Sequence, residues 1–207
     1  MPSSQFLSLA PAKQDVIISA GLAEFAAHGY DLASTNRIVR RAGISKGALF
    51  KYFADKEGFF LYVISRTVGS YLAGMPVEQP DLLSWLRAVT AYKFQYIRQQ
   101  PDTYALWARL TKHADHPVYA KALRAQVEVL QEFRPRVPVA SDRPLRAGVT
   151  GEHLLNLVMW IANGLQEQFL ATAPDEVGDA FDAAFQTIVN EFDRYLDIVR
   201  NGLYQGT

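Results

Sequence analysis

The chain has 207 residues, 49% of them hydrophobic, which allows one large core or two small ones and excludes a largely disordered chain. It has no cysteine, which excludes a disulfide framework, a cysteine-ligated zinc site and a cysteine nucleophile, and fits a reducing cytoplasm. Its 21 basic and 21 acidic side chains give no net charge, its N-terminus lacks the pattern of a signal peptide, and no apolar run approaches the roughly 20 residues of a membrane span.

The first predicted element is an amphipathic helix that begins near Pro11 and ends near Gly29. Proline suits a first helical turn because no backbone N–H is needed there, and glycine suits a left-handed cap. Apolar residues recur with helical spacing in two adjacent stripes, which predict a wide buried face. The stripes are Val16, Ala20, Ala23 and Ala27, with Ile18, Leu22 and Phe25 beside them.

Two short helices are predicted next, joined by the three residues 43–45. Ser34 or Thr35 can cap the first of them, Gly43 can end it, and Ser45 can cap the second, which begins at Lys46. A connection of this length is typical of a helix-turn-helix, in which the helices cross at about 90–120°. We expect the apolar residues of the turn and of the second helix, Ile44, Leu49 and Phe53, to face the core.

The rest of the chain is predicted to be helical. Asp55 can cap a fourth helix, and longer helices are expected at about 80–99, 101–113, 117–133, 150–171 and 175–203, with a proline-rich loop at 134–144. No segment of real length alternates with period two, so no strand is expected. The predicted fold class is all-α with about nine helices. Residues 1–54 are expected to form a three-helix helix-turn-helix domain and residues 55–207 a helical bundle for ligand binding and dimerisation.

Basic residues are concentrated in the predicted helix-turn-helix. Residues 1–56 carry a net charge of +3 and residues 57–207 carry −3. A local basic patch is expected for binding DNA phosphate, although charge alone fits a solvated face equally well. The second helix of such a motif lies in the major groove and presents base-reading side chains near its N-terminus. Lys46 can reach a guanine edge there, and the small residues Gly47 and Ala48 allow a close approach.

The stretch TNRIVRRAGISKGALFKYFADKE, residues 35–57, resembles the TetR family of bacterial regulators, and the preceding FAAHGYD resembles the end of that family's first helix. The resemblance covers roughly residues 12–62. It implies an all-α homodimer with an N-terminal DNA-binding domain and a C-terminal ligand-binding domain. It also implies a small-molecule effector that releases the protein from a palindromic operator.

The resemblance assigns roles to individual positions of the motif. Base reading falls to Lys46, Gly47 and Ala48. Contacts with phosphates or groove edges fall to Thr35, Asn36, Lys51, Tyr52 and Lys56, and Arg37 of the preceding helix is added to the DNA contacts. Phe50 is also included among the DNA contacts, although many members carry tyrosine at this position and Phe50 lacks the hydroxyl that binds a phosphate.

The last two predicted helices carry strong apolar stripes, which favour a dimer interface. They offer more apolar surface than one bundle face needs, and palindromic DNA requires two-fold protein symmetry. The alternative is that both stripes are internal core. The interface residues expected are Leu154, Val158, Ile161, Phe181, Phe185, Ile188 and Phe192.

A pocket for a small, largely apolar effector is expected among the middle helices and the helix at 150–171. Apolar walls with a few polar groups suit such a ligand, although each aromatic residue there can equally be ordinary core. The candidate lining residues are Tyr92, Tyr96, Trp107, Met159, Asn163 and Gln166.

Metal binding and enzymatic activity are not expected. His113 and His116 have a spacing that could hold a metal on a continuous helix, but Pro117 follows at once and no third ligand is obvious. The sequence contains no G-x-S-x-G, no phosphate-binding glycine loop and no H-E-x-x-H. We therefore predict no cofactor and a cytoplasmic, DNA-binding repressor under effector control. The alternative is an activator, or a regulator controlled by a protein partner without a small molecule.

Overall fold

The computed structural model describes residues 2–133, 144–174 and 177–203. Within these ranges the chain forms ten α-helices and no β-strand, so the predicted all-α class is confirmed. In chain order they are α1 (Ser4–Leu7), α2 (Pro11–Leu32), α3 (Thr35–Ala42), α4 (Lys46–Tyr52), α5 (Lys56–Ala73), α6 (Leu82–Gln99), α7 (Pro101–Lys112), α8 (Pro117–Phe133), α9 (Gly151–Thr172) and α10 (Asp179–Leu203). The predicted loop, apart from its last residue, and the predicted start of the last helix at Asp175 and Glu176 lie outside the described residues.

The helices belong to two compact units, between which the chain passes more than once. The first unit comprises residues 1–73 and 100–129 and holds α1–α5, α7 and most of α8. The second comprises residues 74–99 and 130–207 and holds α6, α9 and α10. Helices α7 and α8 therefore pack with the N-terminal helices, although α6 separates them in sequence. The functional boundary between residues 54 and 55 stays a prediction.

The buried face of α2 is displaced from the stripe that the sequence predicts. Ile17 is buried, whereas Val16 is 47% exposed. The centre of the buried face is Gly21, where a Cβ atom would lie 2.5 Å from the ring of Phe59 in α5. Because glycine has no side chain, it does not contribute to a periodic pattern of apolar residues. The predicted stripe that begins at Val16 is therefore shifted by one position from the face that is buried. The second predicted stripe is closer, because its residue Phe25 is fully buried.

Aromatic rings fill the centre of the first unit. Phe6 of the short helix α1 is fully buried, and its ring centroid lies 4.8 Å from that of Phe53, just after α4. Phe53 lies 4.8 Å from Phe59 of α5. The N–H of Ser3 donates to the carbonyl of Tyr52 at 2.9 Å, which holds the N-terminus against the end of α4. Helix α1 is too short to show a period, and the sequence did not predict it.

Helix α2 is interrupted at Gly29, whose φ is 68° and ψ is 179°. Glycine adopts a positive φ without the steric cost that other residues incur. The predicted helix end is therefore only partly correct, because helical structure resumes and continues to Leu32.

The segment around this interruption, which we call the α2 terminus (residues 26–32), is bound by side chains from α7 and α8. Helix ends leave backbone carbonyl groups without partners inside the helix. The guanidinium of Arg109 donates to the carbonyl oxygens of Ala26 at 3.0 Å and Ala27 at 3.2 Å. The N–H of Tyr30 donates to the hydroxyl of Tyr119 at 2.8 Å. These bonds fix the later helices of the unit to its first long helix.

In the second unit, α10 packs against both α6 and α9 through aromatic rings. Phe94 of α6 stacks on Phe185 of α10 with centroids 4.6 Å apart, and Phe169 of α9 meets Phe181 of α10 edge-on at 5.4 Å. No helix in the described part of the chain is both long and apolar enough to cross a membrane.

Most residues of the predicted dimer interface pack within the second unit, and their part in a dimer stays a prediction. Ile161 and Ile188 are half-buried, but the other five residues are buried within the single chain. Those five are Leu154, Val158, Phe181, Phe185 and Phe192. Their stripes were the most apolar on each helix, and such a stripe is needed first by the core of its own subunit. They therefore hold the unit together, which agrees with the alternative that these stripes are internal core.

Candidate nucleic-acid interface

Helices α3 and α4 form the predicted helix-turn-helix, and its caps are those the sequence indicates. The hydroxyl of Ser34 accepts from the N–H of Arg37 at 3.4 Å, and that of Ser45 accepts from the N–H of Ala48 at 3.0 Å. Gly43 ends α3 in the left-handed conformation, with φ 63° and ψ 37°. Only glycine adopts this conformation routinely, so it fixes the sharp turn between the helices.

One side of the motif is buried in the first unit, which confirms the predicted inward positions. Ile38 of α3 and Leu49 of α4 are buried, as is Phe53 just after α4. Ile44 of the turn is half-buried and packs against the same core. The two helices are therefore held at a fixed angle, and their other side is available to a ligand.

The exposed side is strongly basic. Arg40, Arg41, Lys46 and Lys51 are all exposed. None of the four forms an ion pair with another side chain in the described ranges. We call these four residues the basic face. Because no acidic group neutralises it, this face can attract phosphate.

Gly47 lies in the first turn of α4, beside Lys46 on the exposed side. A Cβ atom at this position would meet only the hydroxyl of Ser45, at 3.9 Å. Packing within the protein therefore does not require glycine there. Ala48, next in the chain, is half-buried and equally small. The first turn of α4 thus carries small side chains, so another molecule can approach its backbone closely.

Arg37 has an internal partner that the sequence did not reveal. Its Nε donates to the two carboxylate oxygens of Glu24 at 2.8 and 3.0 Å, and its Nη2 donates to the carbonyl of Leu32 at 3.1 Å. Glu24 is only 8% exposed and also accepts from the N–H of Ser34 at 2.8 Å. Burial raises the pKa of Glu24, but the hydrogen bonds from Arg37 and Ser34 outweigh burial and hold the pKa below its ordinary value. A bidentate pair of this kind fixes the start of α3 to α2.

Lys56 is also used within the protein. Its ammonium group donates to the carbonyl of Asp31 at 3.1 Å and lies 4.8 Å above the ring of Tyr30. Burial lowers the pKa of Lys56, and the nearby carboxylates of Asp31 and Glu24 offset part of that effect. Lys56 thus gives the α2 terminus a third partner, from α5, and its charge is less available than those of the basic face.

The remaining predicted DNA contacts lie around the basic face. Asn36 is exposed and Thr35 half-buried in the first turn of α3. Tyr52 is half-buried, with its ring edge-on to Phe6 at 5.7 Å. Phe50 is 39% exposed, so it is a surface side chain and not core.

The predicted ligand-lining residues are distributed over both units. Trp107 belongs to the first, where its indole N–H donates to the hydroxyl of Thr67 at 3.0 Å. Tyr92 and Tyr96 of the second are half-buried, with ring centroids 6.0 Å apart. The others, Met159, Asn163 and Gln166, are exposed on α9, and Gln166 accepts from Lys93. Their role in ligand binding stays a prediction.

The histidines have other partners. His116 pairs with Asp31 at 3.3 Å and lies beside the ring of Tyr119 at 4.8 Å. His153 accepts from the N–H of Thr150 and completes a capping box at the start of α9. No group of three or more potential metal-ligating side chains occurs in the ranges that the structure describes.

A helix-turn-helix with an exposed basic side is the structural signature of a DNA-binding protein. Residues 17–63 match the family described as bacterial regulatory proteins, tetR family. The chain is 30% identical to the HTH-type transcriptional repressor AcnR of Corynebacterium efficiens over 112 residues, 48% of this chain and 58% of that repressor. It is also 30% identical to the repressor of the same name from Corynebacterium glutamicum over 152 residues, 63% of this chain and 80% of that repressor.

Solved structures share the fold. The crystal structure of a TetR-like transcriptional regulator from Rhodococcus sp. RHA1 superimposes with a TM-score of 0.62 at 18% identity, over 91% of this chain and 98% of that one. The chain spans just over half the length of the C. efficiens repressor, and the match to the C. glutamicum repressor is longer. The chain belongs to the TetR family of bacterial regulatory proteins.

Proposed function

We propose that this protein is a cytoplasmic transcription repressor that binds a palindromic operator as a homodimer and is released by a small molecule. The observation that carries the proposal is the basic face, whose four cations have no acidic partner among the described residues. The two corynebacterial relatives are repressors by name, which supports repression over activation.

The N-terminus of α4 is the part that reads the operator. Lys46 donates to a guanine edge, and the small residues Gly47 and Ala48 let the helix approach the bases. Thr35 and Asn36 hold phosphate at the N-terminus of α3, where backbone N–H groups also point outward. Lys51, Tyr52 and the arginines of the basic face bind the phosphates on either side.

Arg37 and Lys56 have a supporting role in this proposal. Both are engaged with α2, one through the carboxylate of Glu24 and the other through the carbonyl of Asp31. They fix the angle at which the motif meets DNA and contribute to the local positive potential. This refines the sequence prediction, which placed them among the direct contacts.

Dimerisation is assigned to the exposed apolar side chains of α9 and α10. Trp160 is 70% exposed and Ile198 is 66% exposed, with Met159 and Tyr195 also on the surface. Large exposed apolar residues on two neighbouring helices mark an interaction surface. A two-fold dimer places one helix-turn-helix on each half of a palindrome.

The first test is the variant Lys46→Ala. We expect it to weaken binding to an operator selected from random-sequence duplex DNA about tenfold or more, because one good base contact contributes about 1–3 kcal/mol. Fluorescence anisotropy titration at fixed salt measures the dissociation constant.

The matched control is Arg124→Ala, which removes an exposed cation of α8 outside the motif. It is expected to leave operator affinity nearly unchanged. Unchanged binding by the Lys46 variant, or an equal loss in both variants, contradicts the placement of α4 in the major groove.

A further inference from the structure

The second unit contains a cavity of about 320 Å³ between α6 and α10. Its volume is at the lower end of the range of small-molecule sites, about 300–1,000 Å³. Aromatic rings and charged groups both line it. The residues that matter here are Arg87 and Phe94 of α6 with Phe185, Phe192 and Asp193 of α10.

The apolar wall of the cavity is aromatic. Phe94 and Phe185 are stacked with an interplanar angle of 23°, and Phe192 is buried beside them. The faces of such rings carry negative partial charge and attract cations. One cation already uses this property, because the guanidinium of Arg98 lies 5.9 Å from the centroid of Phe94.

The cavity is lined by one base and one acid, Arg87 and Asp193, and a second acid, Asp197, lies one turn further along α10. Arg87 donates to Asp193 at 2.8 Å and to Asp197 at 3.2 Å, so one guanidinium faces two carboxylates. About three turns along α6 from Arg87, Arg98 pairs with Asp182 at 3.1 Å, and neither of these residues lines the cavity. The second carboxylate oxygen of Asp182 is buried and has no hydrogen-bond donor among the described residues.

No other cation of α6 compensates for this excess. Lys93, the remaining basic residue of that helix, donates to Gln166 of α9 and does not line the cavity. Helix α10 itself carries five acidic residues and two basic ones. The second carboxylate near Arg87 therefore makes the surroundings of the cavity more favourable for a cation than for an anion.

We infer that this cavity is the effector site and that its ligand is an organic cation with a flat apolar body. The body stacks on the phenylalanine wall, and the cationic group shares Asp193 with Arg87. The inference rests on the proposed function for its regulatory meaning, since it names the class of molecule that releases the repressor from DNA.

The first experiment compares three ligands with the same two-ring skeleton and different charge. N-methylquinolinium is a cation, quinoline is neutral at neutral pH and 1-naphthoate is an anion. Isothermal titration of the full-length protein is expected to show that the cation binds about tenfold more tightly than quinoline, and that the anion binds more weakly than either. Equal affinity for all three, or no binding, overturns the inference.

Two variants test the rim in opposite directions. Asp193→Asn removes the negative charge that attracts the ligand, and is expected to weaken binding of N-methylquinolinium about tenfold. Arg87→Gln removes the cation that competes for that carboxylate, and is expected to strengthen binding about threefold. Both variants break the same ion pair, so a purely structural role would move both affinities in the same direction, and that result contradicts the inference.

Two further variants serve as controls. Glu78→Gln removes one exposed carboxylate of the same unit outside the cavity, and ligand affinity is expected to remain unchanged. Phe94→Leu reduces the aromatic wall and is expected to weaken the cation and quinoline alike. This variant tests the wall even if a rim variant fails to fold, and a normal affinity for both ligands contradicts stacking.

The regulatory step is tested with the selected operator. N-methylquinolinium at saturation is expected to weaken operator binding at least about tenfold, a coupling within the range typical of allosteric proteins. If the cation binds but operator affinity does not change, the cavity is not the effector site. The proposed function is tested separately, because the Lys46 experiment uses DNA alone and requires no ligand.

Discussion

At Gly47, the residue type that would favour folding differs from the residue type that would favour binding. The protein leaves room for a side chain at this exposed helical position, and glycine lowers helix stability relative to alanine. A residue that is unfavourable for the helix and unnecessary for its packing is explained by contact with something outside the chain. In this protein, that contact is the proposed approach of α4 to DNA.

We therefore expect Gly47→Ala to stabilise the protein by up to about 1 kcal/mol and yet weaken operator binding. Urea denaturation and anisotropy titration measure the two effects. Gly69→Ala is the matched control, because this glycine is exposed within α5 and has nothing within 4 Å of its Cβ position, while Gly47 has only the Ser45 hydroxyl at 3.9 Å. It should gain similar stability at unchanged affinity. Normal operator binding by the Gly47 variant would show that close approach is not needed.

Glu24 makes folding sensitive to acid. Its pKa is lower in the folded protein than its ordinary value. It therefore contributes stability that is fully present above the unfolded pKa and is lost as the pH falls through the folded pKa. We expect Glu24→Gln to be less stable at neutral pH and to lose less stability on acidification. Urea denaturation at a series of pH values measures both.

The control for this prediction is Asp15→Asn, which breaks an exposed ion pair with Arg66. Surface pairs contribute about 0–1 kcal/mol, so its pH profile should follow that of the wild type. If the two variants gave the same profile, the buried pair would have no special role.

At the scale of elements, the α2 terminus connects helices that are distant in sequence. Tyr119→Phe removes the hydroxyl that accepts from the N–H of Tyr30 and leaves that donor without its partner. We expect a loss of about 1–3 kcal/mol in the free energy of unfolding, measured by urea denaturation. Ser70→Ala removes an exposed hydroxyl of α5 and should change stability little. If the two variants were equally stable, the hydrogen bond between Tyr30 and Tyr119 would not contribute to the stability of the fold.

The elements themselves follow from the sequence, but their partners do not. The sequence predicts nine of the ten helices that the structure describes, whereas α1 has four residues and no period to detect. The buried face of α2 is centred on Gly21, to which no hydrophobicity pattern responds. Arg37 was assigned to DNA because its charge is visible in the sequence, while its pairing with Glu24 depends on how α2 and α3 cross.

The same limit applies to the interface and the cavity. An apolar stripe such as that of Phe181 and Phe185 predicts that these side chains are buried. It does not predict whether the surface that covers them belongs to the same chain or to a second copy. Aromatic residues were expected to line a pocket, and the cavity between α6 and α10 instead uses Phe94 and Phe192, which sequence spacing does not bring together.

At the scale of the whole molecule, the proposal of a homodimer is tested by measuring the oligomeric state. Sedimentation at micromolar concentration is expected to give twice the monomer mass of 23.2 kDa. Trp160→Glu places a charge on the exposed apolar surface of α9 and should shift the protein to monomers, with weaker operator binding as a result. Val127→Glu, at an exposed site of α8, is the control and should remain dimeric. A wild-type monomer would contradict the proposal.

The bonds at the α2 terminus also decide how this regulator can be divided for engineering. A fragment cut after residue 54 would keep the complete helix-turn-helix but lose Lys56, Arg109 and Tyr119, which bind the end of its longest helix. It would also expose the apolar side of α2 that α5 covers through Phe59. The transplantable DNA-reading module is therefore discontinuous, residues 1–73 together with 100–129, and hybrid repressors should exchange what surrounds it and keep this set intact.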